Sequence, residues 1–322
     1  MRSVLTIYRK ELCDHFSSNK FLILLSLIYI AGLSSTYVSL TNIRQAASSL
    51  DEHVFLYLFT TKGDILPSFI TFIRFFIPII GIIFGFDAIN SEKTSGNLSR
   101  VLSQPIYRDS LINSKFLAGI TTLGIIIASI VFIISGVGLF SIGVPPTSEE
   151  ILRISFFIFI CIFYGGFWMG LSILFSVIME KTAASILITT AIWIFLMFFL
   201  PIIADAIANA MAPVSDNPTF TELARNYSIS SSISRISPAT LFSESIIVLL
   251  MPIGGNLIIN NKAGLVQSYE MLQSGEMQLN HPLSLGQSLV QVWPQLVAII
   301  ALAIVCFAVS YIIFMRQEIR ST

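Results

Sequence analysis

The sequence predicts an all-α integral membrane protein with six transmembrane helices, and three observations carry that prediction. The first is composition: 55% of the residues are hydrophobic, only 11% are charged, and mean hydropathy is +0.84. Soluble domains carry roughly a quarter charged residues, so this chain has too little polar surface to be soluble alone. The second is six apolar runs, each near the roughly 20 residues that a helix needs to cross the hydrocarbon core. The third is their texture. The runs are continuous rather than alternating, which fits helices and not barrel strands.

Several function classes are disfavoured early. The formal net charge is zero, so no basic or acidic bias points to nucleic acid. Cys13, Cys161 and Cys306 are far apart, and two of them lie in apolar runs, against a disulfide framework. His15, His53 and His281 have no metal-ligand spacing.

Residues 1–20 do not read as a signal peptide. Arg2, Arg9, Lys10 and Lys20 alternate with Glu11 and Asp14, and no small-residue cleavage site follows. Leu5, Tyr8, Leu12 and Phe16 form a stripe at helical spacing. This is the pattern of an amphipathic helix lying in the membrane interface. The plainer alternative is a juxtamembrane helix whose bases only set orientation.

The six spans follow in order. They run from Phe21 to about Ser39, about Ser68 to Phe86, Phe116 to about Ile142, about Ile154 to Met179, Ala184 to about Ala204, and about Val290 to Phe314. With the N-terminus inside, the inner segments hold eleven of the Lys and Arg residues. The longer outer segments, with Arg153 among them, hold six. The positive-inside rule then predicts a multi-pass protein of the cell membrane with both termini cytoplasmic.

Between the second and third spans lies a polar stretch, Asp87 to Lys115, with Lys93, Arg100, Arg108 and Lys115 as bases. Leu98, Val101 and Leu102 fall at i, i+3 and i+4, on one face of a short helix. Pro105 ends that helix, since proline lacks the N–H and disfavours helix before it. Asp109 is then placed to cap the next helix. A polar loop with one apolar stripe, held between two membrane helices, offers a grip for a soluble partner. It also serves as a plain connection.

Smaller features complete the chain. Glu180 and Lys181 sit in a very short turn between the fourth and fifth spans. Gly166-x-x-x-Gly170 has the spacing that lets helices approach closely. Arg74 is the one base inside a span, where an ionisable group costs on the order of 3 kcal/mol. It either lines a substrate path or pairs within the bundle, for instance with a carbonyl freed by Pro78. Between spans five and six, residues 205–289 form the expected extracytoplasmic segment. Its patch from Ser237 to Pro252 is too short to span, and suits a helix at the interface or packed on the bundle. A second helix is expected from Ala263 to Gln273. Met211, Met251, Met271 and Met277 are scattered, and isolated Met is usually packing rather than a Cu(I) site. Asn226-Tyr-Ser is a glycosylation sequon of a kind that arises often by chance. No phosphate-loop motif and no hydrolase or metalloprotease arrangement occurs in the sequence.

The run FGFDAINSEKTSGNLSRVLSQPIYRDSLINSKFLAG resembles the signature of ABC transporter permeases of the type-2, exporter-like class. In that family an acid precedes a Gly by four. A Leu-rich turn follows, then Pro, a hydrophobic residue, one more residue and Arg, and a Lys opens the next helix. The matching residues are Glu92, Gly96, Leu98, Leu102, Pro105, Arg108 and Lys115. Asn97 departs, standing where a small hydroxyl residue is common. The run is similar to that of permeases like the membrane subunit of the nitrous-oxide-reductase maturation transporter.

The resemblance implies an elbow role for the N-terminal helix. It also implies coupling through residues 87–115 to a separate ABC ATPase subunit, which would bind the ATP. The coupling residues would be Glu92, Ser95, Gly96, Leu98, Arg100, Leu102, Pro105, Arg108 and Lys115, with Glu180 and Lys181 as a second contact. It implies a homodimer of permease subunits in lipid, with no cofactor or catalytic residue of its own. A mechanotransmitter, which moves an outer partner without passing a substrate, is the alternative.

Overall fold

The computed structural model describes residues 2–45, 54–61, 67–96, 107–214, 219–250 and 283–317. Every element among them is helical. In chain order they are α1 (Arg2–Ser17), α2 (Asn19–Gln45), a single 3-10 turn with α3 (Tyr57–Thr60), α4 (Phe69–Gly85), α5 (Asn90–Thr94), α6 (Arg108–Ile142) and α7 (Ser148–Ile178). Then come α8 (Thr182–Ile194), a π-helical turn (Phe195–Phe199), α9 (Leu200–Met211), α10 (Phe220–Ser234), α11 (Pro238–Leu250) and α12 (Leu285–Arg316). Six helical stretches are long and apolar enough to cross a membrane: α2, α4 with α5, α6, α7, α8 through α9, and α12.

The helices outrun the apolar runs that announce them. Span three starts at Arg108 rather than Phe116, and span four at Ser148 rather than Ile154. The reason is capping. Thr147 accepts from the Glu150 amide while Glu150 Oε2 accepts from the Thr147 amide at 2.8 Å. Ser284 and Gln287 do the same for α12. Such reciprocal bonds satisfy first-turn donors and let polar turns join the helix. Asp109 does not cap α6. Tyr107 holds the cap position in extended backbone without a side-chain bond, and Asp109 falls in the first turn, where an acid suits the helix dipole.

Helix α7 is the axis of the bundle. Its 31 residues extend about 46 Å at the α-helical rise. It packs chiefly on α12 and α4, and also on α6, α8 and α11. Small residues bring α4 close. A Cβ on Gly81 would stand 2.7 Å from the Gly165 carbonyl oxygen, and one on Gly85 2.7 Å from that of Met169. Close helix packing is thus realised, but at Gly165 with α4. Gly166 and Gly170, the predicted pair, make ordinary contacts with α6 and α12.

The patch after Ser237 becomes α11, which is largely buried against the bundle, with Phe242 stacked on Tyr164 at 4.4 Å. It meets α10 at a bend of 118°. Large apolar side chains stay exposed around the outside, Phe140 at 93% and Val290 at 78% among them, as a lipid-facing surface requires. The predicted helix at 263–273, Met251, Met271, Met277, His53 and His281 lie outside the described residues.

Candidate functional site

One end of the bundle gathers the polar segments that the sequence presents separately. About one turn past α4, the Ile89 and Asn90 amides both donate to Ser176 Oγ on α7 at 3.1 Å. The Asn90 side chain donates to the Met179 carbonyl at 2.8 Å, just before the Glu180–Lys181 turn. These bonds seat α5 against the end of α7. Lys93 Nζ then donates to the Val177 carbonyl at 2.8 Å and to Gln317 Oε1 at 2.7 Å. Gln317 itself donates to Val177, and its carbonyl accepts from Arg108 at 2.8 Å. Helix α5, the start of α6, the end of α7 and the end of α12 therefore form one platform. Glu180 and Lys181 are exposed at its rim.

Gly96 ends α5. Its φ of +69° is left-handed, a conformation that glycine adopts without a Cβ penalty, and its amide donates to the Lys93 carbonyl at 3.1 Å. No atom lies within 4 Å of where a Cβ would stand, so the requirement for glycine there is conformational. Ser95 caps the same turn. Leu98, Arg100, Leu102 and Pro105 lie outside the described residues.

A charge cluster joins α1 to this platform. Lys115 Nζ stands 2.8 Å from Glu92 Oε1 and 3.0 Å from Glu11 Oε2, with its side chain 8% exposed. Glu92 and Lys115 thus face each other rather than outward. Glu92 Oε2 is buried without a hydrogen-bond partner among the described residues. Lys20 pairs with Asp87, and Lys10 with Glu11 and Asp14. Together they surround a cavity of about 260 Å³ floored by Ile83 and Phe84. His15 meets Phe84 edge-on at 4.8 Å. Burial holds its imidazole below the usual value near 6.5, while Glu11 pulls the other way.

The inward face of α1 is centred on Glu11 and includes Ile7 and His15, and Tyr8 donates to Thr121 at 3.1 Å. Of the predicted stripe, Leu5 is 52% exposed, Tyr8 and Leu12 are half-buried, and Phe16 packs on the core beside Phe21.

Arg74 lies apart, in α4. Pro78 has no N–H, so the carbonyl it leaves free is that of Arg74 itself. The Tyr164 hydroxyl takes it at 3.3 Å. The guanidinium is not the group that satisfies it, and Arg74 Nε is buried without a hydrogen-bond partner among the described residues.

The far end of α7 holds a residue that charge counting places in an outer loop. The Arg153 side chain is 0% exposed. All five of its N–H groups are used: two on Glu149, one on the Leu249 carbonyl at 2.8 Å, one on Ser288 Oγ at 3.2 Å and one on the Leu283 carbonyl. Glu150 beside it also accepts from the Phe55 amide at 3.0 Å. The Thr-x-x-Glu pattern before span four is the signal that extends the helix over Arg153. No spacing rule reaches the pairing of Glu11 with Lys115, 104 positions apart.

The described residues hold no cluster of His, Cys, Asp or Glu able to bind a metal ion. A family model described as ABC-2 family transporter protein matches residues 5–319. No curated protein matches the chain.

Proposed function

From a chain that belongs to the ABC-2 family of transporter proteins, and is therefore a multi-pass membrane permease, we propose the membrane subunit of an ATP-driven exporter. A separate ABC ATPase docks on the platform described above and binds the nucleotide. Two copies of this chain pair around the pathway, and α1 lies as an elbow in the inner membrane interface. Both termini are cytoplasmic, as the distribution of Lys and Arg favours.

The observation that carries the reading is the convergence at one end of the bundle. Residues 87–96, Arg108, the turn after Met179 and Gln317 are bonded into one polar surface. Movement imposed on α5 by a partner passes into α7 through Ser176 and into α6 through Lys115. Arg108 and Arg100 meet acids on the partner, and Leu98 and Leu102 supply the apolar contact. Arg74 lines the substrate path. The similarity to nitrous-oxide-reductase maturation permeases leaves the substrate open.

The test is a pull-down of the solubilised protein from its native cells, with mass spectrometry of what accompanies it. A stoichiometric phosphate-loop ATPase, lost with Leu98→Asp, is the expected result. Recovery of no ATPase in several mild detergents would sink the proposal. The mechanotransmitter reading draws on the far end. There Arg153 ties the two chain positions that flank residues 251–282 to α7, so motion of α7 would reach that segment. Coupled ATPase activity without substrate movement in sealed vesicles would favour it.

A further inference from the structure

Between α1 and the first turns of α6 runs a groove of about 690 Å³ that the coupling platform does not use. Its walls are Leu5, Tyr8, Tyr107 and Leu117, and Thr121 closes one end. Leu5 is 52% exposed, Leu117 48% and Tyr107 77%. The exposed apolar face of α6 continues from Leu117 to Ile125 and Phe132, so the groove is continuous with the lipid-facing side of the bundle.

Its polar groups are unevenly spent. Tyr8 donates to Thr121, and Thr121 donates to the Leu117 carbonyl at 2.8 Å, which leaves that end satisfied. At the other end Asp109 Oδ1 accepts from the Ser110 amide and hydroxyl. Asp109 has no ion-pair partner among the described residues. Tyr107, at the cap position of α6, makes no side-chain cap bond, so first-turn backbone N–H groups other than that of Ser110 remain to receive an anion.

We propose that this groove holds an amine-headed phospholipid. One acyl chain lies along Leu5 and Leu117. The ammonium donates to Asp109, and the phosphate sits toward the uncapped start of α6. A carboxylate that wants N–H donors selects ethanolamine over choline, whose nitrogen carries none. Apolar walls with a single charged end are what such an amphiphile requires. The placement rests on the proposed reading of α1 as an interfacial elbow.

Native mass spectrometry of the purified protein mixed with equal phosphatidylethanolamine and phosphatidylcholine tests it. The wild type is expected to retain the ethanolamine lipid by about fivefold, the factor that one weak ion pair supplies. Asp109→Asn keeps the side-chain size and is expected to bring the ratio near parity. Leu117→Trp and, on the opposite wall, Leu5→Trp are expected to reduce the bound lipid in either headgroup. Equal retention of both lipids by the wild type overturns the proposal. So does a preference that survives Asp109→Asn, or unchanged retention in both Trp variants. ATPase co-purification is scored on the same preparations. Its absence would count against the permease reading and leave the lipid result standing.

Discussion

Two buried bases, Arg153 near the start of α7 and Lys115 in the first turns of α6, each tie several helices together, and they do so in different ways. Arg153 spends all five donors on Glu149, two carbonyls and a hydroxyl. Lys115 faces two carboxylates, leaves one oxygen of Glu92 without a partner among the described residues, and borders a cavity of about 260 Å³. A planar guanidinium fixed by carbonyls from two further segments has one arrangement. An ammonium shared between two acids beside open space has several of similar energy. The far end is built to stay, and the loop end is built to be rearranged by a partner.

The strongest way to break that contrast is to remove each base in turn. Arg153→Met leaves an acid and two buried carbonyls unmatched, and is expected to cost about 3–5 kcal/mol. Thermal unfolding of the solubilised protein measures it. Lys115→Met is expected to cost about 2 kcal/mol, because the cavity admits water to the two acids. Adding Glu92→Gln to Lys115→Met should recover part of that loss. Equal losses at the two ends would remove the distinction.

A finer test uses Gly96. Gly96→Ala and Gly96→Trp share the same backbone strain, about 1 kcal/mol for a left-handed residue with a Cβ. A Cβ at this position meets no atom within 4 Å. Stability should fall about equally, whereas ATPase stimulation should fail with Trp alone, because only the bulk meets a partner.

The smallest effect concerns acidity. His15 is held below its ordinary pKa by burial, so the packed state prefers it neutral. The stability it contributes is present above about 6.5 and is lost as pH falls through the lowered value. Glu11, Asp87, Asp14 and Lys115 face the same imidazole; the three acids soften the loss and Lys115 adds to it. The protection of α1 amides, corrected for the intrinsic pH dependence of exchange, should fall between pH 7.5 and 5.5 in the wild type and change little in His15→Phe.

Much of this fold was legible in the sequence, because crossing a membrane constrains local composition. Six apolar runs became six spans, and the second ran from Phe69 to Gly85 close to where its hydropathy placed it. The ends of the helices were less legible. Hydropathy begins a helix where apolar residues begin, but the polar first turns of α7 and α12 are helical by virtue of their caps. That is how Arg153 came to be counted as a loop residue. The site was legible as a stretch and not as a surface. Glu92, Arg108 and Lys115 could be picked out by resemblance. Their partners Glu11 and Gln317 lie at opposite ends of the chain, and nothing local marks them.

The π-helical turn in the fifth span has a consequence of its own. Leu200 donates back to Phe195, five positions earlier, so this turn holds one residue more than an α-helical turn. Elsewhere between Thr182 and Met211, losing a residue would swing the far half by about 100°. Asp205 would leave Ser230, and Asn209 would leave Asn226. Between Phe195 and Phe199 the same loss would close the wide turn into an ordinary one, with both halves still facing their neighbours. The span carries a spare residue there, and that is where its length can change without a change of partners.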